Sequence, residues 1–370
     1  MPCSILNAVP ADAAPNAAAF LRACPRGAYT ALTVIGGQLV RMRRGNGGKS
    51  TAELALLRPY SQPHSFTTQI PHWQWHTERL ASSLVELAIS DPSALPAFTA
   101  WHGGGPEAAS PLPLASHLSN VALPSLAAAV RGEAADAPSG ADIGAILLLT
   151  DAAMPQPSSG FAIEPPLDVR AYAWALPPAS ERSRPGPATV VGPPRTNPSI
   201  KDSAWAAARA GLEAALPPGA ADGILTSACD GGGGGALLEG LVTNLFVVQR
   251  GGPPGAAFTL RTAAPADGAL DGIVRRMVLD LAQSEDGLAV DEAPPDPAQA
   301  GEWTEAFLTS AVRGVQPLTA LVGPGRGGER GGGAVAWQTG FDPVPGPVTL
   351  RIMARLGAAL AEHATRLPRE

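Results

Sequence analysis

Cysteine is almost absent from this chain of 370 residues: Cys3, Cys24 and Cys229 lie far apart and form no CxxC pair. That excludes a disulfide scaffold or a structural zinc site as the framework of the fold, and makes a reducing compartment the expected setting, cytoplasmic by default with a plastid as the alternative. Charge is thin as well, 16% of residues against about a quarter in an average domain. The balance of 26 basic against 32 acidic residues, net −6, lacks the excess of a nucleic-acid binder. No apolar run approaches the roughly 20 residues of a membrane span. The first 26 residues carry Arg22 and Arg26 but also Asp12 and few serines, a poor match to a targeting leader. Lysine is scarce too: of the 26 basic residues only Lys49 and Lys201 are lysine, and the rest are arginine.

What is abundant is alanine, glycine (42) and proline (39), so isolated glycine pairs carry little signal. Apolar residues make up 45%, enough for a sizeable core. Residues 27–40 read as a strand, a turn at Gly36–Gly37 and a second strand, and 44–50 (RGNGGKS) as a mobile loop. From His76, HTERLASSLVELAI reads as an amphipathic helix with Leu80, Leu84 and Leu87 on one face. The Pro, Ala and Ser content of 91–140 predicts short helical pieces. GAILLLT (144–150) and VRAYAWAL (169–176) read as strands. Residues 177–198 read as an interdomain linker with one short extended piece. The expected division is therefore an N-terminal α+β domain over 1–176, that linker, and a C-terminal domain over 199–370.

In the C-terminal part, 203–216 predicts a helix with Asp202 or Ser203 as N-cap. A strand before the glycine run Gly231–Gly235, a strand pair over 236–250, and a strand at FTLRTA follow. A helix over 269–283 has Leu270, Ile273, Val274, Met277 and Leu281 on its apolar face. A strand–turn–strand over 305–321, an insertion at 325–333 and a closing helix complete the pattern.

Several motifs fail. RRGNGGKS has Arg43 where a phosphate-binding P-loop requires glycine. HGGG at 102–105 has the form of a hydrolase oxyanion motif, but no GxSxG nucleophile elbow exists in the chain. HExxH is absent, and no metal ligand is assigned.

Six segments in order do fit together: GAYT (27–30), HTERLASS (76–83), NPSIKDSAW (197–205), LLEGLVTNLFVV (237–248), LDGIVRRMV (270–278) and EAFLTSAVRGVQP (305–317). In that order they resemble the class IV, fold-type IV enzymes that use pyridoxal 5'-phosphate (PLP), most closely the plant D-amino-acid-aminotransferase-like branch. The resemblance implies a two-domain α/β (α+β) fold, a small N-terminal α+β domain and a C-terminal β-barrel-like domain with flanking helices. PLP would lie in the interdomain cleft of a homodimer. It implies an aminotransferase acting on a small amino acid and a 2-oxo acid. The alternatives are a lyase of the 4-amino-4-deoxychorismate type or a non-catalytic PLP-binding homologue.

The resemblance also assigns roles. Lys201 matches the Schiff-base lysine, since only lysine offers an amine whose pKa a dry pocket can lower. Glu239 matches the acid that keeps the pyridine nitrogen protonated. Arg79 matches the phosphate arginine, and the backbone N–H groups of Ile273 and Val274 the phosphate-binding helix start, where Val274 replaces a common hydroxyl residue. Thr309 and Ser310 match a strand that supplies a further hydroxyl, with Ala311 where some relatives have Thr. Tyr29 matches a substrate-binding tyrosine. In D-amino-acid aminotransferase the strand like ILLLT runs on into an arginine that grips the substrate carboxylate. Here Asp151 falls in that place, where it would repel a carboxylate, and Arg41 and Arg43, on the hairpin beside Tyr29, are candidate substitutes.

Overall fold

The structure is a computed structural model that describes residues 17–35, 69–103, 111–137, 141–152, 165–227, 235–324, 335–362 and 364–367. Its first part runs α1 (Ala17–Ala23), β1 (Gly27–Val34), β2 (Gln69–Pro71), α2 (Trp73–Ser90), α3 (Pro96–His102), α4 (Pro111–Asp136), β3 (Ile143–Asp151) and β4 (Leu167–Ala175). β3 is the middle strand of an antiparallel sheet ordered β1-β3-β4. Its unbroken apolar run is explained by cover on both faces. Ala145, Leu147 and Leu149 pack with Leu84 and Leu87 of α2 and Leu118 and Leu126 of α4. Ile146 and Leu148 pack on the other side with Phe20, Tyr29 and Tyr172.

α2 buries Leu80, Leu84 and Leu87 as its spacing predicts. Of the short helical pieces expected over 91–140, α3 is one of seven residues, while the rest is corrected by α4, a single helix of 26 residues with Pro124 inside it. Leu114, Leu118, Leu126 and Val130 are all buried along its inner face. At about 1.5–3 kcal/mol each, that burial outweighs the roughly 3 kcal/mol that an interior proline costs. Pro124 itself faces solvent.

The second part runs α5 (Ala179–Arg182), β5 (Gly186–Gly192), α6 (Trp205–Ala208), α7 (Ala210–Ala214), β6 (Asp222–Thr226), β7 (Leu237–Gly240), β8 (Asn244–Arg250), β9 (Phe258–Arg261), α8 (Ile273–Gln283), β10 (Leu288–Asp291), β11 (Trp303–Ser310), β12 (Gly314–Pro324), β13 (Val335–Gly340), α9 (Pro347–Glu362) and β14 (Ala364–Arg366). Strands β8-β11-β12-β5-β6-β7 pair in that order and β7 pairs back to β8, closing a barrel; β9 and β10 extend it from β8, and β13 flanks β12. α8 and α9 cover the barrel through Met277, Val278, Val348 and Ile352 against Phe246 and Phe307. The mixed α/β architecture with a barrel-like second part is the one expected.

Three local expectations change. The extended piece within 177–198 is β5, a barrel strand parallel to both β12 and β6; the prolines around it mark its ends. The helix expected over 203–216 is two short turns, α6 and α7, meeting at Arg209. Its expected caps work differently: Asp202 Oδ1 accepts from the Ala204 N–H at 2.9 Å, and Ser203 Oγ from the Gly27 N–H at 3.0 Å. The second hairpin strand at 36–40, the loop 44–50, the first four residues of Gly231–Gly235 and the insertion 325–333 lie outside the described residues. Among the described residues no helix is long and apolar enough to cross a membrane.

Candidate active site

A cavity of about 230 Å³ opens between the three-stranded sheet and the mouth of the barrel. Tyr29, Arg79, Lys201, Glu239, Ile273, Val274, Thr309 and Ser310, drawn from six separate segments, all line it.

Lys201, one of two lysines in the chain, is fixed through its backbone. Its carbonyl accepts from the Tyr29 N–H at 2.9 Å, and its N–H donates to Ser83 Oγ at 3.1 Å. Asp202 bridges to Ala28 and takes the fork of Arg26 at 2.7 Å. The segment is thus stitched to β1 and α2, and its side chain is left to enter the cavity. Nζ lies 5.2 Å from the centre of the Tyr29 ring. Burial lowers the pKa of this amine; the Tyr29 phenol opposes that, while the charges of Arg79, Arg195 and Arg209 add to it.

Glu239 sits on β7 with both oxygens held. Oε1 accepts from Arg195 Nε at 2.8 Å and Oε2 from the Leu270 N–H at 2.8 Å. Burial pushes this carboxyl above its ordinary pKa, against the pull of Arg195 and the Leu270 N–H. Each carboxylate oxygen has a second lone pair, so the group can accept once more from the cavity. Arg195 is anchored in turn on the Pro198 carbonyl at 2.6 Å and lies over the Trp205 ring.

Arg79 is buried, and burial, then the nearby Arg276, bring its pKa down to about 10, so it stays charged at neutral pH. Its Nη2 donates to Thr30 Oγ1 at 2.7 Å, and the same hydroxyl lies 2.7 Å from His76 Nδ1. Burial, then Arg79, hold the His76 pKa well below its usual range, so the ring is neutral. Thr30 therefore accepts from Arg79 and has its own hydrogen for the neutral ring, which fixes the guanidinium from behind.

α8 starts beside Arg79. Its N-cap is Gly272, with no side chain to cap the first turn, so the N–H groups of Ile273, Val274 and Arg275 have no intrahelical acceptor. Glycine is required there by close approach: a Cβ would meet Asn244 Oδ1 at 2.1 Å. Among the cavity-lining residues, Arg79 Nε, Thr309 Oγ1, Arg209 Nη1 and Arg275 Nε are buried and have no hydrogen-bond partner. Ser310 Oγ accepts from the Arg313 N–H at 3.1 Å and so shapes the β11–β12 turn.

The reading of Asp151 is corrected. Its carboxylate turns away from the cavity and accepts from the Ala97 and Phe98 N–H groups at 3.0 and 2.8 Å, at the start of α3. An acid at that place suits a helix N-terminus and repels nothing in the site. Arg41 and Arg43 lie outside the described residues.

Arg195, Trp205 and Arg209 line the cavity and were not anticipated. A spacing signal existed for two of them: Trp205 and Arg209 stand four residues apart, on one face of the helix expected over 203–216 just after Lys201. Arg209 is buried, with Nε on Glu213 Oε1 at 2.6 Å. Burial resists ionisation of the Tyr29 phenol, but the charges of Lys201, Arg209 and Arg195 outweigh it, and its pKa falls below the ordinary value.

The family model described as amino-transferase class IV matches residues 66–321. Solved structures with the same fold include the branched-chain aminotransferase of the archaeon Thermoproteus uzoniensis with norvaline, 16% identical over 92% of this chain and 90% of that one, TM-score 0.54. The PLP form of the Thermobaculum terrenum branched-chain aminotransferase is 16% identical over 92% and 89%, TM-score 0.53. A PLP-bound hypothetical aminotransferase from Mycobacterium tuberculosis is 16% identical over 93% and 92%, TM-score 0.54. No curated protein matches the chain.

Proposed function

The chain belongs to the class IV aminotransferases, and from that premise we propose that its cavity binds PLP and moves the amino group of a small amino acid to a 2-oxo acid. The observation that carries this is a buried lysine of lowered pKa sharing one cavity with a buried carboxylate and a set of unpartnered anion donors. The donors fit a phosphate: Arg79 Nε, Thr309 Oγ1 and the uncapped N–H groups of Ile273 and Val274 have nothing to bond without one. When bound, PLP supplies an aldehyde carbon that takes up amino groups and a ring that accepts the electron pair released at the donor's Cα.

Lys201 would hold the cofactor, and its Nζ would be the base that takes the Cα proton and returns it. Glu239 would hold a proton on the ring nitrogen, with Arg195 and the Leu270 N–H fixing its orientation. Tyr29 would face the substrate.

The test is spectroscopic. Purified protein given PLP should gain visible absorbance. At least one member of a panel of L- and D-amino acids should discharge it, and a 2-oxo acid should restore it. Absorbance that no amino acid discharges would mean a PLP binder without turnover. Release of pyruvate from aminodeoxychorismate without an acceptor would mean a lyase.

The phosphate assignment has its own check. Arg79→Ala is expected to weaken PLP binding by about 1.5–3 kcal/mol, the worth of a hydrogen bond to a charged group. Thr30→Val, which unfastens Arg79, should act in the same direction by less. A PLP titration with unchanged affinity in Arg79→Ala would remove Arg79 from the phosphate site.

A further inference from the structure

The site as described lacks a group for the substrate carboxylate: the end of β3 brings no cation to it, since Asp151 is an acid and caps α3. Resting on the PLP reading above, we propose that Arg209, together with the Tyr29 phenol, is the anchor for the α-carboxylate of the amino donor.

The cationic side chains that meet the cavity are not equivalent. Arg195 is committed to Glu239 and to the Pro198 carbonyl. Arg79 is committed to Thr30 and stands with its free Nε near the start of α8. Arg275 belongs to α8 itself and takes Glu292 and the Ala263 carbonyl, and Arg313 is committed to the Ala221 carbonyl and Gln316 Oε1. Arg209 comes from a different element, the junction of α6 and α7, directly after the lysine segment.

Its Nε is fixed by Glu213, whose side chain is 36% exposed, while its own is 6% exposed. The acid therefore holds the guanidinium from the solvent side and leaves Nη1 buried, lining the cavity and unpartnered. A charged donor left unpaired in such a place is costly unless an anion completes it. A purely structural arginine would spend both ends of its fork on protein.

Position makes that anion a substrate carboxylate. Arg209 and Tyr29 line the same cavity, close enough for the guanidinium charge to lower the pKa of the phenol, and the Tyr29 ring lies 5.2 Å from Lys201 Nζ. Tyr29 thus links the guanidinium to the amine that would take the proton from Cα. In an amino acid the carboxylate is bonded to that same Cα, so its anchor must stand beside the base. Planar guanidinium and planar carboxylate match in geometry, and the phenol adds a second donor.

The experiment separates this from the parent reading by using ligands that bind without turnover. Cofactor-free protein is titrated with pyridoxine 5'-phosphate and with two reduced conjugates, phosphopyridoxyl-alanine (each enantiomer) and phosphopyridoxyl-ethylamine, which differ by the carboxylate alone. The wild type should prefer one alanine conjugate over the ethylamine conjugate by about 10- to 100-fold. Arg209→Met should abolish that preference while keeping its affinity for pyridoxine phosphate, which also shows that the variant is folded. Arg209→Lys, with the charge but not the fork, should fall between. An undiminished preference in Arg209→Met overturns the proposal. So does an equal loss for all the ligands, which would make Arg209 a phosphate or structural group. Wild-type protein that binds none of them would instead refute the PLP reading itself.

Discussion

Replacing Lys201 by alanine should abolish the visible absorbance of the PLP-loaded protein and lower turnover by about 10³-fold or more, since the variant loses both the covalent tether and the base. The fold should survive. The hydrogen bonds of Lys201 to Tyr29 and Ser83 are made by its backbone, which alanine keeps. The sign of the stability change follows from linkage. Burial depresses the folded-state pKa of Lys201 below 10.5, so between those values the unfolded chain binds the extra proton, and stability rises with pH across that window. Below it the buried ammonium, facing three arginines, is a full cost. Lys201→Ala should therefore melt no lower than wild type at neutral pH, and its advantage should shrink as pH rises. For the same reason, capture of PLP by the wild type should quicken with pH and level off below 10.5, as the neutral amine becomes the main form. A variant that keeps its absorbance and turnover would dismiss Lys201 from the site. A capture rate still climbing beyond 10.5 would mean that the amine is not buried as described.

Much of this arrangement can be read from the chain, and the reasons differ by residue. β3 is legible because it is buried on both faces, so GAILLLT needs no polar interruption. Lys201 is legible because the chain has almost no lysine to confuse it with. Arginine is the opposite case. It supplies nearly all the positive charge, so Arg195 and Arg209 do not stand out; Arg195 becomes a candidate through its bond to Glu239, and Arg209 through the nitrogen it leaves without a partner. α4 was hidden by Pro124, because its stability comes from tertiary packing that local preference does not report. β5 was hidden by the prolines and glycines at its ends, while its partners β12 and β6 are remote or follow a helical segment. Asp151 shows the limit of matching by position: the strand was placed correctly, but the side chain's direction depended on where α3 begins.

Glu239→Gln should leave PLP bound while slowing the first half-reaction with an amino donor by about 10²–10³-fold, the usual loss when a preorganised electrostatic contact to the reacting system is removed. The two oxygens of Glu239 accept from Arg195 Nε and from the Leu270 N–H. A glutamine amide has one acceptor oxygen and one donor nitrogen, so it satisfies only one of them and turns a donor toward the other. The variant should therefore also lose about 1–3 kcal/mol of stability by denaturant titration. That structural loss is separable from the chemical one by pH. Burial raises the pKa of Glu239 above 4.5, so the wild-type half-reaction should fall on the acid side at a pH higher than an exposed glutamate would give, as the carboxylate takes up its proton. Glutamine cannot titrate, so that acid limb should vanish from the variant while the slow rate persists. A variant that is slow yet keeps the limb would assign the titration to another group. Equal rates in both proteins would mean that a different acid faces the ring nitrogen. If Glu239 acts through its charge, the rate must follow ionisation of this carboxyl in the wild type and be indifferent to it in the amide.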